Sequence, residues 1–382
     1  MSYGLGFFEL FQLAEDFGAE PLPIVNCGLH CQFAAWDQHG KDDLAYLDAY
    51  VQDALDLVEF ACGDATTTWG RVRAEMGHPQ PFGVKMIQIG NENWGEDFLW
   101  NFDTIAQAVK AKWPQIEVIG SAGGGVDNDG WRLAMKHYAG RSDFTLDEHY
   151  YQPADWFYRN ASRYDAYDRK GPRIFVGEYA SFDRVNGKAR ICFDNALGEA
   201  ALMTGFERNC DVVVKAAFAP MFMRCVEGTK KFFNDRKYSS EAWSGAMLWF
   251  DGLDVIGRSS YYVQKMFALN RPDVIVPHAQ DVPQTREGVF AVCGLDRAKG
   301  EIVVKVVNPG AARKLTLDFA AALPAGKVSV ETLACDDLYA ENSLAESGKV
   351  MPMSATVAFA GGKTLEHELP AHSLAVLRLT VR

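Results

Sequence analysis

No stretch of about 20 apolar residues occurs in this 382-residue chain, so no part of it is long enough to cross a membrane as a helix. A basic start and a cleavable apolar core are also missing. Met1 leads directly into "SYGLGFFELFQLAEDFGAEP", which reads as a helix already under way and not as a signal peptide. Positive charge is in the minority. With 38 Lys and Arg against 50 Asp and Glu, the formal net charge of −12 argues against a nucleic-acid backbone or an anionic membrane as the main partner. A neutral or cationic small molecule fits better. No CxxC or HxxxH spacing accompanies the eight cysteines, most of which lie in apolar segments, as Cys192, Cys210 and Cys293 do. Buried free thiols are expected, not a disulfide framework. The "CGLHC" segment (Cys27, His30, Cys31) has no second ligand pair with which to hold a metal. Repeats and low-complexity segments are absent, and 48% hydrophobic with 23% charged residues excludes a disordered chain.

Apolar strand-like runs recur, each ending in Gly, Asn, Asp or Glu and each followed by a helical pattern. "PLPIVNCG" (21–28) precedes "DDLAYLDAYVQDALDLVEFA" (42–61), where Leu44, Leu47, Val51, Leu55 and Val58 keep three-to-four spacing. "VKMIQIGNE", "IEVIGSAGGG", "DFTLDEHYY", "RIFVGEYA" and "DVVVKAAFAPMF" continue the series to six units, and a helix near "SSYYVQKMFAL" closes it. Strands alternating with helices imply parallel β and right-handed crossovers, and the unbroken apolar character implies cover on both faces. After about residue 270, short β runs separated by Gly, Pro and Asn follow without helices, the pattern of an all-β sandwich. The domains expected are a catalytic unit over 1–268 and a sandwich over 269–382.

In parallel α/β folds the reactive groups gather at the carboxyl ends of strands. The second run delivers Asn91, Glu92 and Asn93; the fourth Asp147, Glu148, His149, Tyr150 and Tyr151; the fifth Glu178 and Tyr179. Glu92 and Glu178 follow an apolar strand and a glycine in the same way, in "QIGNE" and "FVGE". Each alone reads equally well as a cap or an ion-pair partner. Two at matched positions, three βα units apart, would face one another across the mouth of an eight-stranded barrel. Glycoside hydrolysis uses such a pair: an acid of raised pKa protonates the departing oxygen, and an ionised partner attacks the anomeric carbon or activates water. This chemistry requires no cofactor and no metal. Asp147 and Glu148 beside His149 fit a strand-end hydrogen-bond network better than an ion site. "GSAGGG" (120–125) lacks the GxGxxG spacing of a dinucleotide site and reads as a glycine-rich loop. Trp94 reads equally as part of a sugar-facing wall or as packing under a loop.

The ordered set "GLGFFELFQLAEDFGAEPLPIVN", "YVQDALDLVEFACGD", "IQIGNENWG", "DEHYY", "VGEYA", "SYYVQKMF" and "KVVN" resembles the family-51 glycoside hydrolases, mainly α-L-arabinofuranosidases. The resemblance implies a (β/α)8-type TIM barrel with a C-terminal all-β sandwich, and an arabinofuranosyl-containing carbohydrate as substrate. It also implies a retaining mechanism, with Glu92 as acid/base and Glu178 as nucleophile. Asn91 would hydrogen-bond the sugar 2-hydroxyl, and His149 and Tyr151 would surround the nucleophile. A homo-oligomer is compatible with it. Only six βα units are countable where such a barrel has eight, so the resemblance also implies that two N-terminal strands precede this sequence, and compartment is left open. A β-glycosidase or endoglucanase of the same clan, or a catalytically impaired fragment, is the alternative.

Overall fold

The computed structural model describes residues 4–32, 44–185, 188–224, 245–281 and 283–381. Two compact units emerge: residues 1–150 with 168–177, and residues 151–167 with 178–382.

The first unit opens with α1 (Phe7–Asp16), whose N-cap residue Gly6 donates its amide to Glu9 Oε2 at 2.8 Å. The helix predicted as already under way at Met1 therefore has its own cap. Strand β1 (Ile24–Val25), α2 (Leu44–Cys62) and α3 (Thr68–Glu75) follow, then β2 (Met86–Ile89), α4 (Glu96–Lys112), β3 (Glu117–Ser121), α5 (Asp129–His137) and β4 (Thr145–Gln152). Beyond α6 (Ala154–Arg159) comes β5 (Arg173–Ser181). The ladders β1–β2, β2–β3 and β3–β4 are parallel, with Ile87 opposite Val118 and Ser121 opposite Asp147. All four residues of β2 are buried, as cover on both faces requires. Behind this sheet Phe11, Ala61, Phe82 and Val84 form a core cluster with Phe8 and Phe60 against it.

In the second unit β5 ends, a hairpin of β6 (Asp183–Val185) and β7 (Lys188–Arg190) follows, and the buried helix α7 (Phe193–Arg208) leads to β8 (Val213–Phe218). The resulting sheet order is β1-β2-β3-β4-β5-β8. These are the six strands read from the sequence. A small sheet of β9 (Phe222–Arg224), β10 (Leu248–Phe250) and β11 (Val255–Gly257) and the helix α8 (Ser259–Leu269) complete the helical part. Two antiparallel sheets follow. One contains β12 (Val274–Ile275), β13 (Phe290–Asp296), β14 (Glu301–Asn308), β16 (Gly326–Ala334), β17 (Met353–Phe359) and β19 (Ser373–Thr380). The other pairs β15 (Arg313–Leu323) with β18 (Gly362–Leu369). Val304, Val306, Val328, Val330, Leu365 and Leu377 lie in the core of this sandwich, and β15 alternates half-buried and exposed residues as a one-sided strand should. Among the described residues no helix is long and apolar enough to cross a membrane.

Candidate active site

The segment after β2 turns sharply because Gly90 takes φ +81°, a backbone that favours glycine. A Cβ there would also lie 2.7 Å from Asn93 Oδ1, 2.9 Å from the Phe98 ring and 3.0 Å from Cys27 Sγ. The turn is held by the fully buried Asn93. Its Oδ1 accepts from Asn91 N at 2.7 Å, its Nδ2 donates to His30 O at 2.7 Å, and its backbone N donates to Ser121 Oγ at 3.1 Å. Asn91 is half-buried beside it.

Glu92, at φ +53°, is presented from this turn with each carboxylate oxygen engaged. The Cys31 thiol donates to Oε2 at 3.1 Å, and His149 Nδ1 lies 3.1 Å from Oε1. His149 is buried, and its Nε2 lies 2.8 Å from Asp147 Oδ2. Asp147 also accepts from Gln88 Nε2 at 2.6 Å and from Gly177 N at 2.8 Å. A Cβ on Gly177 would lie 2.2 Å from Asp147 Oδ1, so only glycine leaves this carboxylate its seat. Glu148, on the opposite face of β4, accepts from Trp131 Nε1 at 2.6 Å. With both its ring nitrogens facing carboxylates, His149 could ligate a metal only by giving up one of them.

Burial pushes the Glu92 carboxyl up, but hydrogen bonds from His149 and Cys31 and the charge of His149 outweigh it and hold the group below its ordinary value. This corrects the sequence expectation of an acid raised by its surroundings. An apolar pocket would raise it, whereas this carboxylate is surrounded by donors.

In the second unit Glu178 stands on β5 and accepts from the Tyr151 hydroxyl at 2.6 Å. Phe182, directly after β5, brings its ring centroid to 6.3 Å from that of Tyr151. Strand β4 thus ends in two side chains of one face, His149 bonded to Glu92 and Tyr151 bonded to Glu178. Trp94 is half-buried, its backbone N donating to Gln32 Oε1 at 2.6 Å. Cβ atoms built on Gly123 and Gly130 would lie 3.5 and 2.8 Å from Trp94 Cβ, so glycines in and after "GSAGGG" make room for this residue. Gln88 carried no signal in the sequence, and the partners of Cys31, Asn93 and Asp147 were not legible in it. Each makes a contact across 28 or more positions of the chain.

A family model described as the alpha-L-arabinofuranosidase 1 domain matches residues 2–169, and one described as the alpha-L-arabinofuranosidase C-terminal domain matches residues 177–373. An extracellular exo-alpha-L-arabinofuranosidase of Streptomyces chartreusis is 37% identical over 369 residues, covering 91% of this chain and 41% of the relative. Alpha-L-arabinofuranosidase 1 of Arabidopsis thaliana is 31% identical over 376 residues, covering 97% of this chain and 51% of the relative. The chain thus spans about half the length of the curated relatives it matches. Among solved structures, an arabinose-bound family-51 α-L-arabinofuranosidase superposes with a TM-score of 0.80 at 28% identity, covering 99% of this chain and 57% of the other. Together with the strand order, this likeness makes the fold a (β/α)8-type TIM barrel, six of whose strands are described, with a C-terminal β-sandwich.

Proposed function

Because the chain belongs to the family-51 α-L-arabinofuranosidases, we propose that it is a retaining glycosidase releasing terminal α-L-arabinofuranosyl residues from arabinose-containing plant polysaccharides or oligosaccharides. The observation that carries this reading is the division of labour on β4, where His149 bonds Glu92 and Tyr151 bonds Glu178. A double displacement uses two carboxyl groups, one as nucleophile and one as acid and then base.

In the first step a Glu178 carboxylate oxygen bonds to the anomeric carbon as the glycosidic C–O bond breaks. Glu92 delivers its proton to the departing oxygen. In the second step water attacks the anomeric carbon, the bond to Glu178 breaks, and Glu92 takes up the water proton. Tyr151 donates to the nucleophile and steadies its charge while it is free. In this reading Asn91, the neighbour of Glu92 on the same turn, bonds the sugar 2-hydroxyl, and Trp94 forms the adjoining wall. The reaction draws on no metal or organic cofactor. We take the catalytic part as 1–268 and the sandwich as 269–382, a reading supported by the antiparallel pairing of the strands from Val274 onward, just past α8.

Glu178→Ala should abolish turnover with every leaving group. Glu92→Ala should spare aryl arabinofuranosides with good leaving groups and be rescued by azide. Near-normal rates in Glu178→Ala would overturn the nucleophile assignment. The retaining mechanism requires carboxyl groups about 5–5.5 Å apart, against roughly 6.5–9.5 Å for inversion. Proton NMR of the first-formed sugar should show the α anomer. A panel of aryl glycosides in which a β-glucoside is cleaved as well as the arabinofuranoside would favour the clan-related β-glycosidase instead.

A further inference from the structure

We propose that Asp147 is a positioning residue of the acid/base: through His149 Nε2 it fixes the imidazole tautomer and orientation that place one proton between His149 Nδ1 and Glu92 Oε1. The inference rests on reading Glu92 as the acid/base. Three partners meet Asp147, and two of them can only donate. The Gly177 amide is a donor only, at 2.8 Å from Oδ1. The Gln88 amide orientation is set independently, because Nε2 also faces the carbonyl of Gly90 at 3.2 Å, and a carbonyl can only accept. That nitrogen is therefore the atom 2.6 Å from Asp147 Oδ2. Asp147 acts as an acceptor at both fixed contacts, and His149 Nε2, 2.8 Å from the same Oδ2, must carry hydrogen to join them.

With Nε2 protonated, one further proton is shared across the 3.1 Å between Nδ1 and Glu92 Oε1. It rests on the carboxyl with Nδ1 accepting, or on Nδ1 with the carboxylate accepting. In either state the hydrogen that the leaving oxygen needs is one short transfer away. If His149 took the opposite neutral tautomer, Nδ1 would bear its only hydrogen and Glu92 would be held as an acceptor with nothing to give. All members are buried or half-buried, and Gly177 supplies the space for Asp147.

Asp147→Asn tests this. The amide keeps an oxygen for Gly177 N and turns its NH2 toward His149 Nε2, which must then become the acceptor. Substrates with alkyl or sugar leaving groups, which depend on the acid, should then lose ~10²- to 10⁴-fold in kcat/KM, while activated aryl substrates lose no more than about tenfold. The activated substrate also reports on the folded fraction of the same sample. Equal losses on both substrate types overturn the proposal. Glu92→Ala serves as the reference: if it shows the leaving-group dependence and Asp147→Asn does not, this inference fails and the acid/base reading survives. If Glu92→Ala shows none, the acid/base reading itself fails. A second measurement needs no activity. The ¹⁵N shifts of His149 in the native protein, assigned against His149→Gln, should show Nε2 protonated; a neutral ring protonated only at Nδ1 overturns the proposal.

Discussion

Glu92 holds a left-handed backbone at φ +53°, an arrangement that costs a non-glycine residue of order 1–3 kcal/mol and persists only where its surroundings over-determine it. The surroundings here are the bonds of Asn93 on either side of the turn, and the outcome is a carboxylate with both oxygens engaged. Cys31 is the member that sequence chemistry assigns to a buried thiol or to half of a metal site. Its S–H donates to the Glu92 carboxylate, and a donor to a carboxylate favours the ionised form. Removing it in Cys31→Ala should therefore raise the Glu92 pKa. A general acid works while protonated, so the alkaline limb of kcat/KM should move to higher pH, and the value at the optimum should change by no more than about tenfold, the worth of one neutral hydrogen bond. A pH–rate profile of both proteins checks this. An alkaline limb that stays in place or moves down would show that the thiol does not act on Glu92.

At the scale of elements, α7 is the clearest case of a helix whose setting overrides its sequence. Fourteen consecutive residues, Phe193 to Phe206, are buried, Glu199 among them. One oxygen of Glu199 accepts from Ser181 N at 2.8 Å, and burial pushes the carboxyl up to about 7, with Ser260, Ser181 N and Arg258 acting in the opposite direction. The folded protein therefore binds this proton more tightly than the unfolded chain does. Stability is at its full value below the ordinary carboxylate range and is lost as pH rises from there to about 7. Glu199→Gln keeps an acceptor for Ser181 N and removes the charge. Urea denaturation should find it at least as stable as the native protein at pH 8, with the advantage gone at pH 4. The six parallel strands were legible in the sequence because strands covered on both faces are unbroken apolar runs, and Glu92 and Glu178 were legible because a carboxylate at the end of such a run is conspicuous. The chain from Gln88 through Asp147 and His149 to Glu92 was not. It depends on the register of β2 against β3 and of β3 against β4, which sets Ser121 opposite Asp147, and no local spacing encodes that. "FVGE" likewise showed a glycine, but the carboxylate occupying the space of its absent side chain became visible only once β4 and β5 were placed.

At the scale of the whole chain, the change of texture near residue 270 was visible in the sequence as helices giving way to short β runs. How the sandwich is tied within its own unit was not. Lys305 sits in "EIVVKVVN", where alternation alone would turn a charge toward solvent, yet it is buried on β14 and pairs with Glu207 of α7. Its Nζ also donates to Phe267 O at 3.3 Å and lies 4.5 Å from that ring's centroid. Burial lowers the lysine pKa and raises that of Glu207, so desolvation outweighs the mutual attraction at both ends. A pair in that condition holds elements in place more than it stabilises the fold, because the cost of burying two charges offsets most of what their contact returns. The two halves should then behave very differently from the whole. Lys305→Met leaves Glu207 buried without its cation and should cost about 3–5 kcal/mol, a large share of the roughly 5–15 kcal/mol typical of a folded domain. Replacing both, as Lys305→Met with Glu207→Leu, removes the stranded charge and should recover nearly all of that loss. Chemical denaturation of the native protein, the two single variants and the double variant measures the coupling. Purely additive losses would mean that the pair is not a coupled unit and that Lys305 is held by the Phe267 carbonyl and ring instead.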